Sequence, residues 1–252
     1  IMKNQAQTEY QFGENIAKFD MTSENVSSLG NPLLPKKFLW EFLRDGRTPA
    51  RAAADLSMER LLVALYGPGK ILELGAGGSY YKNFVPEDQN YITSNFVPGC
   101  DVELNMTNLE LDDDSIDAIV SVFAIEHLYD FNAVFAEQKR VLKPGGRILI
   151  MAPFLYYYHS APDDFFRFSA SALDRLFGSF NILLRQPIGN RCLLVAESFH
   201  EKKVMGSNLG FFGRLALRCI TLPFLLAGLG SHDSKYAIGF TYICEKPIRE
   251  TP

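Results

Sequence analysis

Three stretches of the chain hold residues equipped for chemistry. The first is "ILELGAGGSYY", Ile71 to Tyr81, where Glu73 precedes three glycines within four positions, Gly75, Gly77 and Gly78. The second is "PFLYYYHSAPDDFFRFS", Pro153 to Ser169, which contains His159, Asp164 and Arg167. The third is "IEHLYD", with His127 three residues before Asp130. Glycines after an apolar run suit a turn where the backbone must approach a ligand or take positive φ. A histidine near neutral pKa suits proton transfer, with an acid such as Asp164 to orient it. The same Asp164 and Arg167, three apart at a helix start, equally suit an ion pair that holds the loop. His127 is equally suited to a turn, paired with Asp130. No carboxylate and histidine set has metal-ligand spacing along the sequence, so no metal is expected.

The glycine turn does not suit a phosphate. No G-K-[ST] follows it, which excludes a P-loop. The dinucleotide pattern G-x-G-x-x-G starting at Gly75 needs a small residue at position 80, and Tyr80 stands there. No acid follows about 20 residues past Gly75, which also speaks against a nicotinamide cofactor.

The elements that must position these residues are legible as alternating apolar runs and helical segments. Thr48-Pro49 reads as a hydroxyl N-cap with proline in the first turn, opening a helix that Gly67-Pro68-Gly69 ends. Buried strands are expected at Lys70–Glu73, Asn90–Ser94, Val102–Asn105, Ala118–Val122 and Arg147–Ala152. Phe131–Leu142 has a helical period, and "KPGGR" after it reads as a helix stop and turn. Ser169 caps a helix to Phe177, and strands follow at Asn181–Arg185 and Tyr236–Cys244. Strands separated by helices imply βαβ units and a parallel sheet covered on both faces. Residues 1–47 read as an N-terminal arm or cap, 48–252 as the main domain, and about 189–234 as an inserted helical segment.

Length and composition fit this picture. The chain has 252 residues, enough for one large domain, and 47% are hydrophobic. Net charge is −4 with no block of Lys or Arg, so no footprint for nucleic-acid phosphates is visible. Four scattered cysteines (Cys100, Cys192, Cys219, Cys244) form no CxxC pair and read as reduced thiols. With a polar start lacking an apolar signal region, the expected localisation is cytoplasmic. Leu209 to Leu229 is apolar but interrupted by Arg214 and Arg218, too short for a span of about 20 apolar residues. It is expected to be a lid or dimer surface, with a peripheral membrane contact through 208–230 as the alternative. A homo-oligomer is compatible with the first.

The acid-then-glycine turn resembles the first motif of class I S-adenosylmethionine-dependent methyltransferases. Downstream, "DDSIDAIVS", "EHL" and "RVLKPGGRILI" stand in the order and spacing of the type 11 small-molecule methyltransferase domain. The resemblance runs from Ile71 to about Phe177. It implies a Rossmann-like, doubly wound α/β fold with a mostly parallel seven-stranded sheet, helices on both faces and the last strand antiparallel. It implies S-adenosylmethionine as cofactor and S-adenosylhomocysteine as product. Glu73 would receive the cofactor's ammonium, while Gly75, Ala76 and Gly77 bring the backbone close. Asn95 and Asn105 stand where the family carries acids for the ribose hydroxyls and the adenine amino group; Met106 and Ser121 complete the expected cofactor set. An asparagine oxygen can still accept at either place, without the charge-assisted part of the bond.

"SVFA", with Phe123 and Ala124, lacks the N/D-P-P-Y of amino-group methyltransferases, so nucleic-acid bases are not the expected acceptor. The arrangement His159, Pro162, Asp164, Arg167, Phe168, Ser169 resembles a subgroup associated with glycan synthesis. The expected reaction is methyl transfer to a small-molecule oxygen, such as a saccharide or a lipid-linked glycan precursor. His159 is the expected base, Asp164 and His127 its helpers, and Tyr157 and Arg167 the acceptor's binding residues. The alternative is a non-catalytic relative that keeps the fold for binding or assembly.

Overall fold

The computed structural model describes Phe42 and residues 48–160, 163–200, 211–228 and 233–248. The expected arm 1–47 therefore lies outside the described residues except for Phe42, which is fully buried.

Helix α1, Pro49–Leu61, starts as its sequence dictates: the Thr48 hydroxyl accepts from Arg51 N and proline occupies the first turn. Its alanines, Leu56, Met58 and Leu61 are buried on several sides, so it lies between the sheet and a second layer rather than on a surface. The strands are β1 (Lys70–Leu74), β2 (Asn90–Asn95), β3 (Val102–Glu103), β4 (Ile116–Val122), β5 (Leu142–Pro153), β6 (Asn181–Ile188) and β7 (Gly239–Glu245). They form one seven-stranded sheet in the order β3-β2-β1-β4-β5-β7-β6. All pairings are parallel except those of β7, which runs antiparallel to both β5 and β6. This is the doubly wound arrangement that the resemblance implied. Strand order reverses between β1 and β4, and in such sheets ligands bind at the strands' carboxyl ends beside that switch.

Side-chain alternation sorts the core onto two faces. Ile71, Ala118 and Val120 face α1, together with helix α4 (Arg191–His200) and Leu225 of α5 (Phe211–Gly228). Leu72, Ile119 and Ile150 face the other way, onto Val134 and Phe135 of α2 (Phe131–Val141) and Leu173 of α3 (Ala170–Leu176). Asp130 caps α2 and Ser169 caps α3 through their side-chain oxygens. Helices α4 and α5 occupy much of the stretch read as an insertion. Glu197 of α4, buried, accepts from Ala50 N at 2.7 Å and so ties this stretch to the start of α1.

Three local expectations need correction. Between β1 and β4 the described chain forms no α-helix; Tyr81–Phe84 is a single 3-10 turn. There the rings of Tyr80, Tyr81 and Phe84 pack on one another at 5.0 to 6.0 Å, and the Tyr81 hydroxyl donates to Asp55 of α1 at 3.0 Å. Aromatic packing and the nearby Pro86 leave no room for a longer helix. Second, "KPGGR" is not a turn before the strand but part of β5, with a register shift between Ile116 and Ala118 of the neighbouring strand. Gly145 there takes φ +76°, which lets the bulge form. Third, β3 stops at Glu103, and Asn105 lies in a turn bridged to Asn108.

Candidate active site

The turn after β1 is built around Gly75, which takes φ +75°. A Cβ added there would come within 2.5 Å of the Ala124 Cβ, so both conformation and space demand glycine. Gly77 differs: a Cβ added to it meets nothing within 4 Å. The Ala76 amide donates to the Ser94 carbonyl, and the Asn95 amide donates to the Ala76 carbonyl at 2.8 Å. These two bonds fix the turn against the end of β2.

Glu73 is 3% exposed and accepts from the Tyr91 hydroxyl at 2.9 Å. Burial pushes its carboxyl up to about 7, against the opposing pull of the Tyr91 hydrogen bond and the Arg51 charge. Arg51 comes from α1. It pairs with Asp55 at 3.0 Å and lies 5.6 and 5.5 Å from the ring centres of Tyr80 and Tyr81. Glu73, Arg51, Gly75, Gly77, Gly78, the two tyrosines, Val122 and Phe123 enclose a cavity of about 300 Å3 that reaches His127, Tyr156 and His159.

The far end of the cavity is made by two segments. After β4, Phe123 takes φ +48°, a strained conformation for a large side chain, and its ring stacks on Tyr156. A 3-10 turn, Ile125–His127, follows. The segment after β5 docks on that turn: Phe165 N donates to the Glu126 carbonyl, and the His127 Nδ1 meets the Asp163 carbonyl. Arg167 pins the segment to itself. Its Nε donates to Tyr156 O, one terminal nitrogen to Asp164 Oδ1 and Phe166 O, the other to Asp164 Oδ2 and Tyr157 O. All five guanidinium donors are engaged.

Asp164 in turn is held down to about 2, mainly by its bonds to Arg167, and accepts from the His159 backbone amide at 2.8 Å. Glu126, which the sequence does not single out, is 0% exposed and lies below both histidines. Its Oε1 is 3.9 Å from His127 Nε2 and 3.7 Å from His159 Nε2. Burial pushes its carboxyl up to about 8, and burial lowers the imidazole of His159.

The residues expected from sequence thus divide. Glu73, Gly75, Gly77, His127 and His159 line the cavity, and Asp164 stands behind His159. Asn95 faces the turn, its oxygen accepting from Phe96 N. Asn105 accepts from the amide and hydroxyl of Thr107 in its own turn. Met106 is buried below the turn, its sulfur 3.6 Å from the Cβ position of Gly75. Ser121 follows Val120 and precedes Val122, so alternation turns it to the opposite face from the cavity. Arg167 has no donor left for an acceptor. Among the three tyrosines, Tyr156 lines the cavity rather than Tyr157, whose hydroxyl is 3.2 Å from that of Tyr156. The fold also gathers one carboxylate and two histidines, Glu126, His127 and His159, that spacing along the sequence does not reveal. Arg51 and Glu126 are further residues that sequence reading misses. The signal for Glu126 is its place in "EHL", beside His127.

The sheet order is that of the Rossmann-like fold that class I methyltransferases share, with the switch-point turn and the acid before it where such a fold takes its ligand. Residues 72–150 match the type 11 family profile described as "Methyltransferase domain". Among solved structures the fold is similar to a Burkholderia thailandensis 1,6-didemethyltoxoflavin-N1-methyltransferase with 15% identity and a TM-score of 0.50, covering 84% of this chain and 87% of that one. It is similar to a geranyl diphosphate methyltransferase in complex with S-adenosylmethionine at 13% identity and TM-score 0.50, over 76% and 85% of the two chains. It is similar also to the [4+2]-cyclase SpnF at 15% identity and TM-score 0.50, over 73% and 77%. A search of curated proteins by sequence finds no match. At these identities the structures share the fold, and the site's own residues must carry the chemistry.

Proposed function

We propose that the cavity binds S-adenosylmethionine by its amino-acid tail and directs methyl transfer to an oxygen of a small molecule, a saccharide hydroxyl or a lipid-linked glycan precursor. The observation that carries this reading is the pair of opposite charges, Glu73 and Arg51, lining one cavity beside the open space at Gly77. A zwitterionic tail meets both: the carboxylate side of the cavity suits an ammonium and the guanidinium suits a carboxylate. When bound, the cofactor supplies a methyl group activated on a sulfonium.

The protein's part is to hold the acceptor oxygen and take its proton. Proximity provides most of such an acceleration. His159, kept uncharged by burial, offers a lone pair for the proton, and the Glu126 carboxyl lies 3.7 Å from its Nε2. Asp164 fixes the His159 backbone and, through Arg167, the whole segment. Phe123 and Tyr156 form an aromatic wall on which a sugar ring or other flat apolar face can rest.

Thermal shift tests the reading. At about 100 times its Kd a ligand adds ~2.7 kcal/mol, which raises the melting temperature of a chain this size by roughly 5–10 °C. That rise is expected with S-adenosylhomocysteine and S-adenosylmethionine and not with NAD. No rise with either sulfur nucleotide up to millimolar concentration sinks the proposal. It would leave the second reading, a non-catalytic relative, which the commitment of Asn95 and Asn105 to their own turns favours.

A lipid-linked acceptor would require contact with a membrane surface. No helix among the described residues is long and apolar enough to cross one. Helix α5 nevertheless exposes Ile220, Phe224 and Leu226, while Leu217 and Leu225 are buried against the body. The exposed side supports a peripheral contact. Co-sedimentation with anionic liposomes is expected for the intact protein and lost in the double variant Ile220→Asp/Phe224→Asp. A protein that stays in the supernatant removes the membrane contact and the lipid-linked acceptor with it.

A further inference from the structure

Glu126, His127 and His159 present an arrangement that a proton-transfer role alone does not account for. The Nδ1 of His127 faces the Asp163 carbonyl; the Nδ1 of His159 lies 3.2 Å from the Tyr157 carbonyl and 3.3 Å from Asp164 Oδ2. A carbonyl oxygen only accepts, so Nδ1 is the protonated nitrogen in each ring and the neutral imidazole carries its lone pair on Nε2. Both Nε2 atoms approach Oε1 of Glu126, at 3.9 and 3.7 Å. Neither carboxyl oxygen of Glu126 has a hydrogen-bond partner, although the side chain is wholly buried. Three potential ligand atoms thus lie within 4.8 Å of one another, the carboxyl oxygen among them without a hydrogen-bond partner.

Buried acceptors grouped in this way need a positive centre. One proton bridges only two of the three atoms. One cation serves all of them. Two ligand atoms bound to zinc at about 2.0–2.1 Å in tetrahedral geometry stand about 3.3 Å apart, so the two separations from Glu126 close by about half an ångström on loading, while the two imidazole nitrogens, within 4.8 Å of each other, rotate further inward. The surroundings match what metal-binding imidazoles require, because each ring is held by an acceptor on its other nitrogen. Asp164, behind His159, is itself fixed by two bonds from Arg167. His127 and His159 both line the cavity, so a fourth coordination position would open towards it.

We propose that Glu126, His127 and His159 form a binding site for one zinc-class divalent cation at the acceptor end of the cavity. Two imidazoles and one carboxylate with an open position are a donor set of the catalytic rather than the closed structural kind. A loaded site places a Lewis acid where the acceptor oxygen is held and takes over from His159 as the group that favours its deprotonation. That consequence rests on the methyl-transfer reading; the site itself does not.

Calorimetric titration of the chelator-treated full chain with Zn2+ tests it. One equivalent is expected to bind with a submicromolar Kd, and Glu126→Gln and His159→Ala are each expected to weaken binding at least about tenfold. Should either variant fail to fold, the Co2+-loaded wild-type protein decides. Intense visible bands of four- or five-coordinate cobalt support the site, and the weak spectrum of the hydrated ion overturns it. Absence of one-to-one uptake, or uptake unchanged in the folded variants, also overturns it. Nucleotide thermal shifts on the same samples keep the two readings apart: zinc uptake without a nucleotide shift removes the cofactor reading alone, and the converse removes the metal site alone.

Discussion

Valine in place of Gly77 leaves the melting temperature within about 2 °C of wild type and weakens S-adenosylhomocysteine binding by about 100-fold or more. The two effects separate because Gly77 is the position in the turn where a side chain meets no protein atom within 4 Å yet projects from the wall of the cavity. A substitution that touches nothing in the fold changes stability by about half a kcal/mol or less, which corresponds to about 2 °C in a chain of this size. The branched side chain instead occupies the space in which the proposed site places the cofactor's tail. A 100-fold loss amounts to about 2.7 kcal/mol, a magnitude that a clash of a few atoms readily reaches. Gly75→Ala is the matched comparison. There φ is +75° and the Ala124 Cβ stands 2.5 Å from the added atom, so the cost falls on the fold itself, at about 1–3 kcal/mol or more. Calorimetric melting and nucleotide titration of both variants check the contrast. If Gly77→Val binds S-adenosylhomocysteine as wild type does, the glycine turn does not hold the cofactor.

Much of this site's frame is legible in the sequence because it rests on local rules. Thr48-Pro49, Asp130 and Ser169 open their helices where capping chemistry places them. The runs around Ile71, Ile119 and Leu149 become central strands because each is apolar on both faces, as a covered parallel sheet requires. The acid and glycines of the first turn are local too. What the sequence conceals depends on contacts between distant segments. Glu126 becomes a site residue only when the segment after β5 brings His159 over it, 33 positions later. Arg51 follows Ala50, whose amide is held by Glu197, 147 residues further along the chain. Ser121 is displaced by parity, since a strand position is assigned to one face only once its neighbours are known. The missing helix after the glycine turn has the same origin: Tyr80, Tyr81 and Phe84 pack with one another, and Tyr81 bonds to α1, which lies before β1 in the chain.

Glu73→Gln is expected to move stability and binding in opposite directions, and pH is the variable that exposes it. The folded protein holds the Glu73 carboxyl up to about 7, from a usual value of 4.5, because burial disfavours its charge. A raised folded pKa means that the folded state binds the proton more tightly than the unfolded one. The associated stability is full below pH 4.5 and is lost as pH rises through 7. For the ligand-free protein that loss amounts to about 3 kcal/mol by pH 8, taking 1.36 kcal/mol per unit. Glutamine keeps the acceptor for the Tyr91 hydroxyl and carries no charge, so the ligand-free variant is more stable than wild type at pH 8 and matches it at pH 5. Binding runs the other way, since an ammonium needs the ionised carboxylate. With a pKa of about 7, the ionised fraction grows about tenfold between pH 6 and pH 8, and wild-type affinity for S-adenosylhomocysteine rises by about the same factor. The glutamine variant binds weakly and shows no such rise between those pH values. On the proposed reading, the buried charge is retained at a cost to the fold because the ligand neutralises it. Melting curves and titrations at pH 5, 6, 7 and 8 read both effects from one pair of proteins. A wild-type affinity that is flat across this range, or a variant that binds as tightly as wild type at pH 8, removes Glu73 from the ammonium's place.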